Sequence, residues 1–108
     1  MKRRDIITVS PPGDYRKPRP AVVIKSDWRN KNDSVLEALF TSTLVEAPIY
    51  RLSIEPGEAN GLKQISQIMV DKILPVMRGK CGRVIGQLDR ASLSALNQII
   101  AIVTGIAD

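Results

Sequence analysis

Apolar residues fall in short bursts along most of the chain and change rhythm only at its end. "DIITVS" is a brief β-prone run closed by "PPGD", a proline–glycine turn. "PAVVIKS" is apolar at consecutive positions, which predicts a strand buried on both faces and opened by Pro20, where a missing N–H costs little. "DWRNKND" is a polar loop. "SVLEALFTSTL" fits two periods: Leu36, Leu39 and Phe40 suit a helix, while the β-rich end suits a strand, which we favour. "APIYRLSIEP" alternates, with Ile49, Arg51 and Ser53 against Tyr50, Leu52 and Ile54. "GEANGL" reads as a loop, a strand is expected around Ile68 to Leu74, and "RGKCGRVIGQL" reads as basic, glycine-rich and extended.

At the C-terminus Leu93, Leu96, Ile99, Ile100 and Val103 recur at helical spacing. This predicts a helix over about 90–104, with Asp89 as N-cap and Gly105 just past the end. Five or so short strands followed by one helix predict a mainly β domain: a small, curved β-barrel with a helical flank.

The chain has 108 residues, which suits one domain over 1–108. A core of this size is modest, so a second copy would help to bury surface. No apolar run is long enough to span a membrane, and "IITV" is too short for a signal-peptide core, so a cytoplasmic location is expected. Lys and Arg total 16 against 11 Asp and Glu. Residues 1–31 hold nine basic side chains and three acidic ones, so the excess is concentrated there. That region is either a face for a polyanion or a solubilising surface.

Histidine is absent, and Cys81 is the single cysteine. Ser/His and Cys/His triads, the usual zinc sites and an internal disulfide are therefore excluded, and no P-loop or GxGxxG is present. No metal and no cofactor is expected. What remains is arginine, lysine, hydroxyls and scattered carboxylates, a set suited to phosphate chemistry.

Within it, Arg19 stands out. Pro18 and Pro20 restrict the backbone on either side and bias Lys17 and Arg19 toward extended conformations. Arg19 then either meets a phosphate or pairs with a carboxylate to anchor its strand. "TSTL" offers Thr41 and Thr43 on one face and Ser42 on the other, for chemistry or merely for β propensity. Asp71 interrupts an apolar strand and needs a partner, most naturally an arginine. Tyr15 and Trp28, beside Arg16, Lys17, Arg29 and Lys31, could stack on unpaired bases or simply edge the core.

The stretches "RDIITVSPPGDYRKPRPAVVIKSD", "FTSTLVEAPIYRLSIEP", "EANGLKQISQIMVDKI" and "IGQLDRASLSALNQIIAIVTGIA" resemble the MazF/PemK-type toxins of bacterial toxin–antitoxin systems. "KPRPAVVI", followed about twenty residues on by "TST", carries most of the specificity. The resemblance implies an SH3-like, CcdB/PemK-type barrel and a homodimer. It also implies a sequence-specific, metal-independent endoribonuclease that cuts single-stranded mRNA through attack by the RNA's own 2′-hydroxyl. By position it makes Arg19 and Thr41 catalytic and sets Asp71 near the site and dimer interface. Tyr15, Arg16, Lys17, Lys25, Trp28 and Arg78 become RNA-binding candidates, with residues 11–17 as the loop over the groove. A cognate antitoxin with an acidic tail would be a partner.

Two departures from the family pattern are Arg4 and Arg16, each where a glycine is usual. If either position needs a positive φ, the arginine there is strained; otherwise both were gained for phosphate contact, or the copy is weakened or retargeted. Met69 stands where some members carry a second arginine, so Lys72 or Arg78 is expected to supply that charge. The alternatives to a nuclease are a CcdB-like gyrase poison, acting through Ile100 to Ile106, and a degenerate toxin that only binds its antitoxin.

Overall fold

The computed structural model describes residues 1–10, 17–27 and 33–108. Tyr15, Arg16 and Trp28, with most of the first loop, lie outside the described residues. The elements run β1 (Asp5–Val9), β2 (Arg19–Val23), β3 (Ser34–Thr41), β4 (Arg51–Ile54), β5 (Ser66–Met77), a short 3-10 turn (Arg78–Lys80), β6 (Cys81–Gln87) and α1 (Arg90–Val103). All ladders are antiparallel, in the order β4-β5-β3-β2-β1-β6.

This is the expected mainly β architecture with a C-terminal helix; the expected small, curved barrel is not closed by a ladder. Among the described residues no ladder joins the edge strands β4 and β6. The sheet is nevertheless curled. Val76 on β5 and Cys81 on β6 belong to one apolar cluster although three strands separate β5 from β6. Antiparallel strands twist, and the twist carries the ends of a long β5 toward its neighbour across the sheet.

The segment with two competing periods, residues 34–41, is a strand. Its partners decide the matter: Ala21 to Val23 pair on one side and β5 on the other. Ala21, Val22 and Val23 are fully buried, as the unbroken apolar run predicts. One face of the sheet carries Ile6, Val22, Ala38, Phe40 and Ile68, covered by Leu96 of α1 with Leu93, Ile99 and Ile100 beside it. The other face carries Ile7, Val9, Ala21, Val23, Val35 and Val76. β4 is shorter than the alternation suggests, because the backbone turns at Ile49 and Tyr50. α1 is capped as expected: Asp89 accepts a hydrogen bond from the Ser92 N–H at 2.7 Å, which holds its carboxyl below the usual range. Gly105 follows the helix at φ +83°.

Arg4 adopts φ +74°, so this position does favour glycine. The left-handed backbone costs an arginine about 1–2 kcal/mol. Neighbouring bonds offset that strain. The Arg4 N–H donates to the Val23 carbonyl at 2.8 Å, the Arg4 carbonyl accepts from Leu88 N–H at 2.9 Å, and Nη2 donates to Gln87 Oε1 at 3.0 Å. Arg3 is similarly committed, its Nε donating to the Ile24 carbonyl at 3.0 Å and its N–H to Asp27. The basic N-terminus is therefore partly a clasp that ties β1 to β2 and β6.

Candidate active site

Arg19 and Thr41 line one cleft. The β2–β3 ladder ends at Ala21 and Leu39; Arg19 precedes Ala21 by two residues on β2, and Thr41 follows Leu39 by two on β3. Pro20 has no N–H to extend that ladder. On its other side Arg19 pairs with Val9, and Thr41 pairs with Gln67 of β5. Arg19 is thus held on a central strand yet is exposed, because β2 begins there.

Gln67 holds the chain that leaves Thr41. Its buried side chain accepts from Val45 N–H at 3.1 Å and donates to the Val45 carbonyl at 2.9 Å. Between them, the Thr43 N–H donates to Thr41 Oγ1 at 3.1 Å. That bond occupies an acceptor site on the hydroxyl and leaves its proton to donate outward.

A cleft of about 670 Å³ opens at this point, between the ends of β2 and β3, β6, and the segment around 61–66. Lys17, Arg19, Lys63 and Arg83 line it, with the hydroxyls of Thr8, Thr41, Ser42 and Ser66, and none of the described residues lining it is a carboxylate. Four cations and several hydroxyls facing one space make a positive trough suited to a polyanion. Among the described residues no group of three or more Asp, Glu, Cys or His could hold a metal.

The remaining sequence candidates lie elsewhere. Asp71 is exposed on β5 and not buried; its Oδ1 lies 4.0 Å from Arg51 Nε, so the arginine partner exists. Lys25 turns its Nζ to the Ser26 carbonyl at 3.2 Å. Arg78 begins the 3-10 turn. None of the three lines the cleft, nor does Lys72; the cations that do, besides Lys17 and Arg19, are Lys63 and Arg83. Sequence reasoning missed both residues. Their signal was faint: a lone cation after a glycine in "GLK" and in "GR".

The model of the PemK-like, MazF-like toxin of type II toxin–antitoxin systems matches residues 2–104. The chain is 34% identical over 108 residues to a probable endoribonuclease MazF of Mycolicibacterium smegmatis, covering 99% of each. Its fold is similar to that of an endoribonuclease solved with its cognate antitoxin from a mycobacterial species. There the TM-score is 0.82 at 19% identity, covering 98% of this chain and 96% of the other. It is also similar to the Mycobacterium tuberculosis toxin MazF-mt6, with TM-score 0.80 at 23% identity, covering 94% and 97%. The family match over residues 2–104 and the 34% identity across the whole chain carry the conclusion: the chain belongs to the PemK-like, MazF-like toxin family of type II toxin–antitoxin systems.

Proposed function

We propose that this chain is the toxin of a toxin–antitoxin pair and a metal-independent endoribonuclease that cuts single-stranded mRNA at preferred sequences. The observation that carries the reading is the presence of Arg19 and Thr41 in the lining of one cleft together with Lys17, Lys63 and Arg83. RNA supplies its own nucleophile. The 2′ oxygen gives up its proton to solvent water and bonds to the adjacent phosphorus, while the bond from phosphorus to the 5′ oxygen breaks and that oxygen takes up a proton to leave as a hydroxyl. Charge builds on the non-bridging oxygens as this happens. Arg19 offers them a planar fork of N–H donors and Thr41 a hydroxyl, both already in place before the reaction. Arg19 is also the donor nearest in kind to what the departing 5′ oxygen needs. The first products are a 2′,3′-cyclic phosphate and a 5′-hydroxyl, and hydrolysis of the ring gives a 3′-phosphate.

An antitoxin with an acidic, unfolded tail suits the same trough, since ordering such a tail over four cations repays part of its entropy. Exposed Leu36, Met77, Ile102 and Ile106 provide apolar surface that a second copy would cover, in keeping with a homodimer acting in the cytoplasm. A gyrase-poisoning role would rest on Ile100 to Ile106, none of which lines the cleft.

Incubating the purified protein with a long single-stranded RNA in EDTA, then mapping the new ends, tests the reading. Cuts at a recurring short sequence with 5′-hydroxyl ends are expected. Intact RNA, or cutting only after divalent metal is restored, would overturn it.

A further inference from the structure

Arg19 and Thr41 account for one phosphate, and neither Arg83 nor Lys63 has a part in that step. We infer that Arg83, helped by Lys63, binds a second backbone phosphate flanking the scissile one, so that the cleft grips the RNA at two consecutive points. The inference rests on the RNA reading above and adds a residue to it.

The backbone of β6 is built to turn Arg83 toward the cleft. Val9 pairs with Cys81, so a regular ladder would set Arg83 opposite Ile7, which is fully buried in the second core. Instead Val84 pairs with Ile7, because β6 carries an extra residue between Cys81 and Val84. A second irregularity, at Ile85, separates Val84 from Gly86. A one-residue shift in register sends a side chain to the opposite face. Bulges on an edge strand commonly re-aim a side chain in this way. Arg83 is accordingly exposed and lines the cleft.

The facing wall is held rigid against β6. Asn60 Oδ1 accepts from the N–H groups of Gly57 at 3.0 Å and Leu62 at 2.9 Å, and its Nδ2 donates to the Glu55 carbonyl. The Gln87 N–H donates to the Ala59 carbonyl at 2.8 Å. Gly61, at φ +70°, lies against the Ile85 carbonyl, and Gly86 lies against the backbone of Ala59 and Asn60, too close in both cases for a Cβ. Lys63 follows directly from this clamped turn. A pre-ordered backbone lowers the entropy lost when a ligand binds.

Among the described residues the side chain of neither Lys63 nor Arg83 makes a hydrogen bond or an ion pair. Two unneutralised cations on one cleft repel each other, and an anion between them relieves that repulsion. An arginine that the bulged strand sets on the cleft and leaves unpaired, sharing its lining with Arg19 and Lys17, makes sense as a phosphate contact.

The test is the salt dependence of binding, using a single-stranded RNA with a 2′-deoxy sugar at the cut so that it stays intact. Arg83→Ala is expected to weaken binding on the order of tenfold. The slope of log affinity against log salt should fall by about 0.7, the value for one phosphate lost from a single strand. With cleavable RNA the loss should fall on KM rather than kcat, and Arg83→Lys should restore most of the slope. Lys63→Ala should act in the same direction. Circular dichroism of each variant separates these effects from misfolding, and Arg83→Lys keeps the question answerable if the alanine variant unfolds. Wild-type cleavage together with an unchanged slope in folded Arg83→Ala and Lys63→Ala protein would overturn this inference alone. A wild-type protein that neither binds nor cuts RNA would overturn the nuclease reading and this inference with it.

Discussion

Arg19→Ala protein is expected to cut RNA two to three orders of magnitude more slowly than wild type, while keeping its fold. The size follows from what one pre-placed donor to a developing oxyanion is worth, about 10²–10³ in rate. Arg19 lies at the exposed start of β2, two positions before the buried run Ala21–Val23, so its loss opens no cavity. Exposed substitutions of that kind stay within about 0.5 kcal/mol in stability. Arg19→Lys should recover only a fraction of the rate. An ammonium supplies charge but not the planar fork that meets two phosphate oxygens together. Single-turnover cleavage beside an unfolding titration checks both halves. A variant that cleaves normally would remove Arg19 from the chemistry, and one that unfolds would make it a strand anchor instead.

A second large effect is expected far from the cleft, at Glu37. This glutamate sits on β3 with no solvent exposure, on the sheet face shared by Val35 and Ala21. Its Oε2 accepts from the Cys81 thiol at 3.1 Å, and its Oε1 has no hydrogen-bond partner. Burial raises the Glu37 pKa above its usual 4.5, and the thiol bond offsets only part of this. Burial and the nearby Glu37 push the Cys81 thiol up to about 12, against weaker opposing pulls from Arg78 and the N-terminal amine. Because the folded pKa of Glu37 is raised, the folded protein holds its proton more tightly than the unfolded chain. Stability is therefore fully present below about pH 4.5 and drains away as pH rises toward the folded pKa, by up to about 1.4 kcal/mol per pH unit. Glu37→Gln keeps the shape and removes the charge. It should match wild type near pH 4 and exceed it by on the order of 1–3 kcal/mol at pH 8. Denaturant unfolding of both proteins across that range checks the divergence, and parallel curves would show that burial does not raise the Glu37 pKa.

Much of the fold was legible because one period dominated each segment. The run "AVVI" could only be a doubly buried strand, and α1 announced itself by its apolar spacing and by Asp89 and Gly105 at its ends. Residues 34–41 were ambiguous for a physical reason: β3 is central and carries inward side chains on both faces, which blurs a two-residue alternation into something helix-like. Barrel closure was not legible at all, since it depends on whether β4 and β6 meet, and no local pattern records that. The site followed the same division. Among the candidate residues, Arg19 stood out through the prolines that bracket it, while Thr41 was singled out only by the family resemblance of "TST". Arg83 was hidden because its direction depends on bulges in β6, where register, not residue type, decides which face a side chain takes. Glu37 was hidden for a related reason, since its burial comes from β1, β2 and β6 curling over it.

The most direct test of the central claim is cleavage of two RNA oligonucleotides that differ by one oxygen, the 2′-hydroxyl on the 5′ side of the mapped cut. If Arg19 and Thr41 serve an attack by that hydroxyl, the all-ribose strand is cut in EDTA and the 2′-deoxy strand is bound with similar affinity but left whole. Cleavage of the 2′-deoxy strand at the ribose rate would mean that a different nucleophile is at work and would contradict the account.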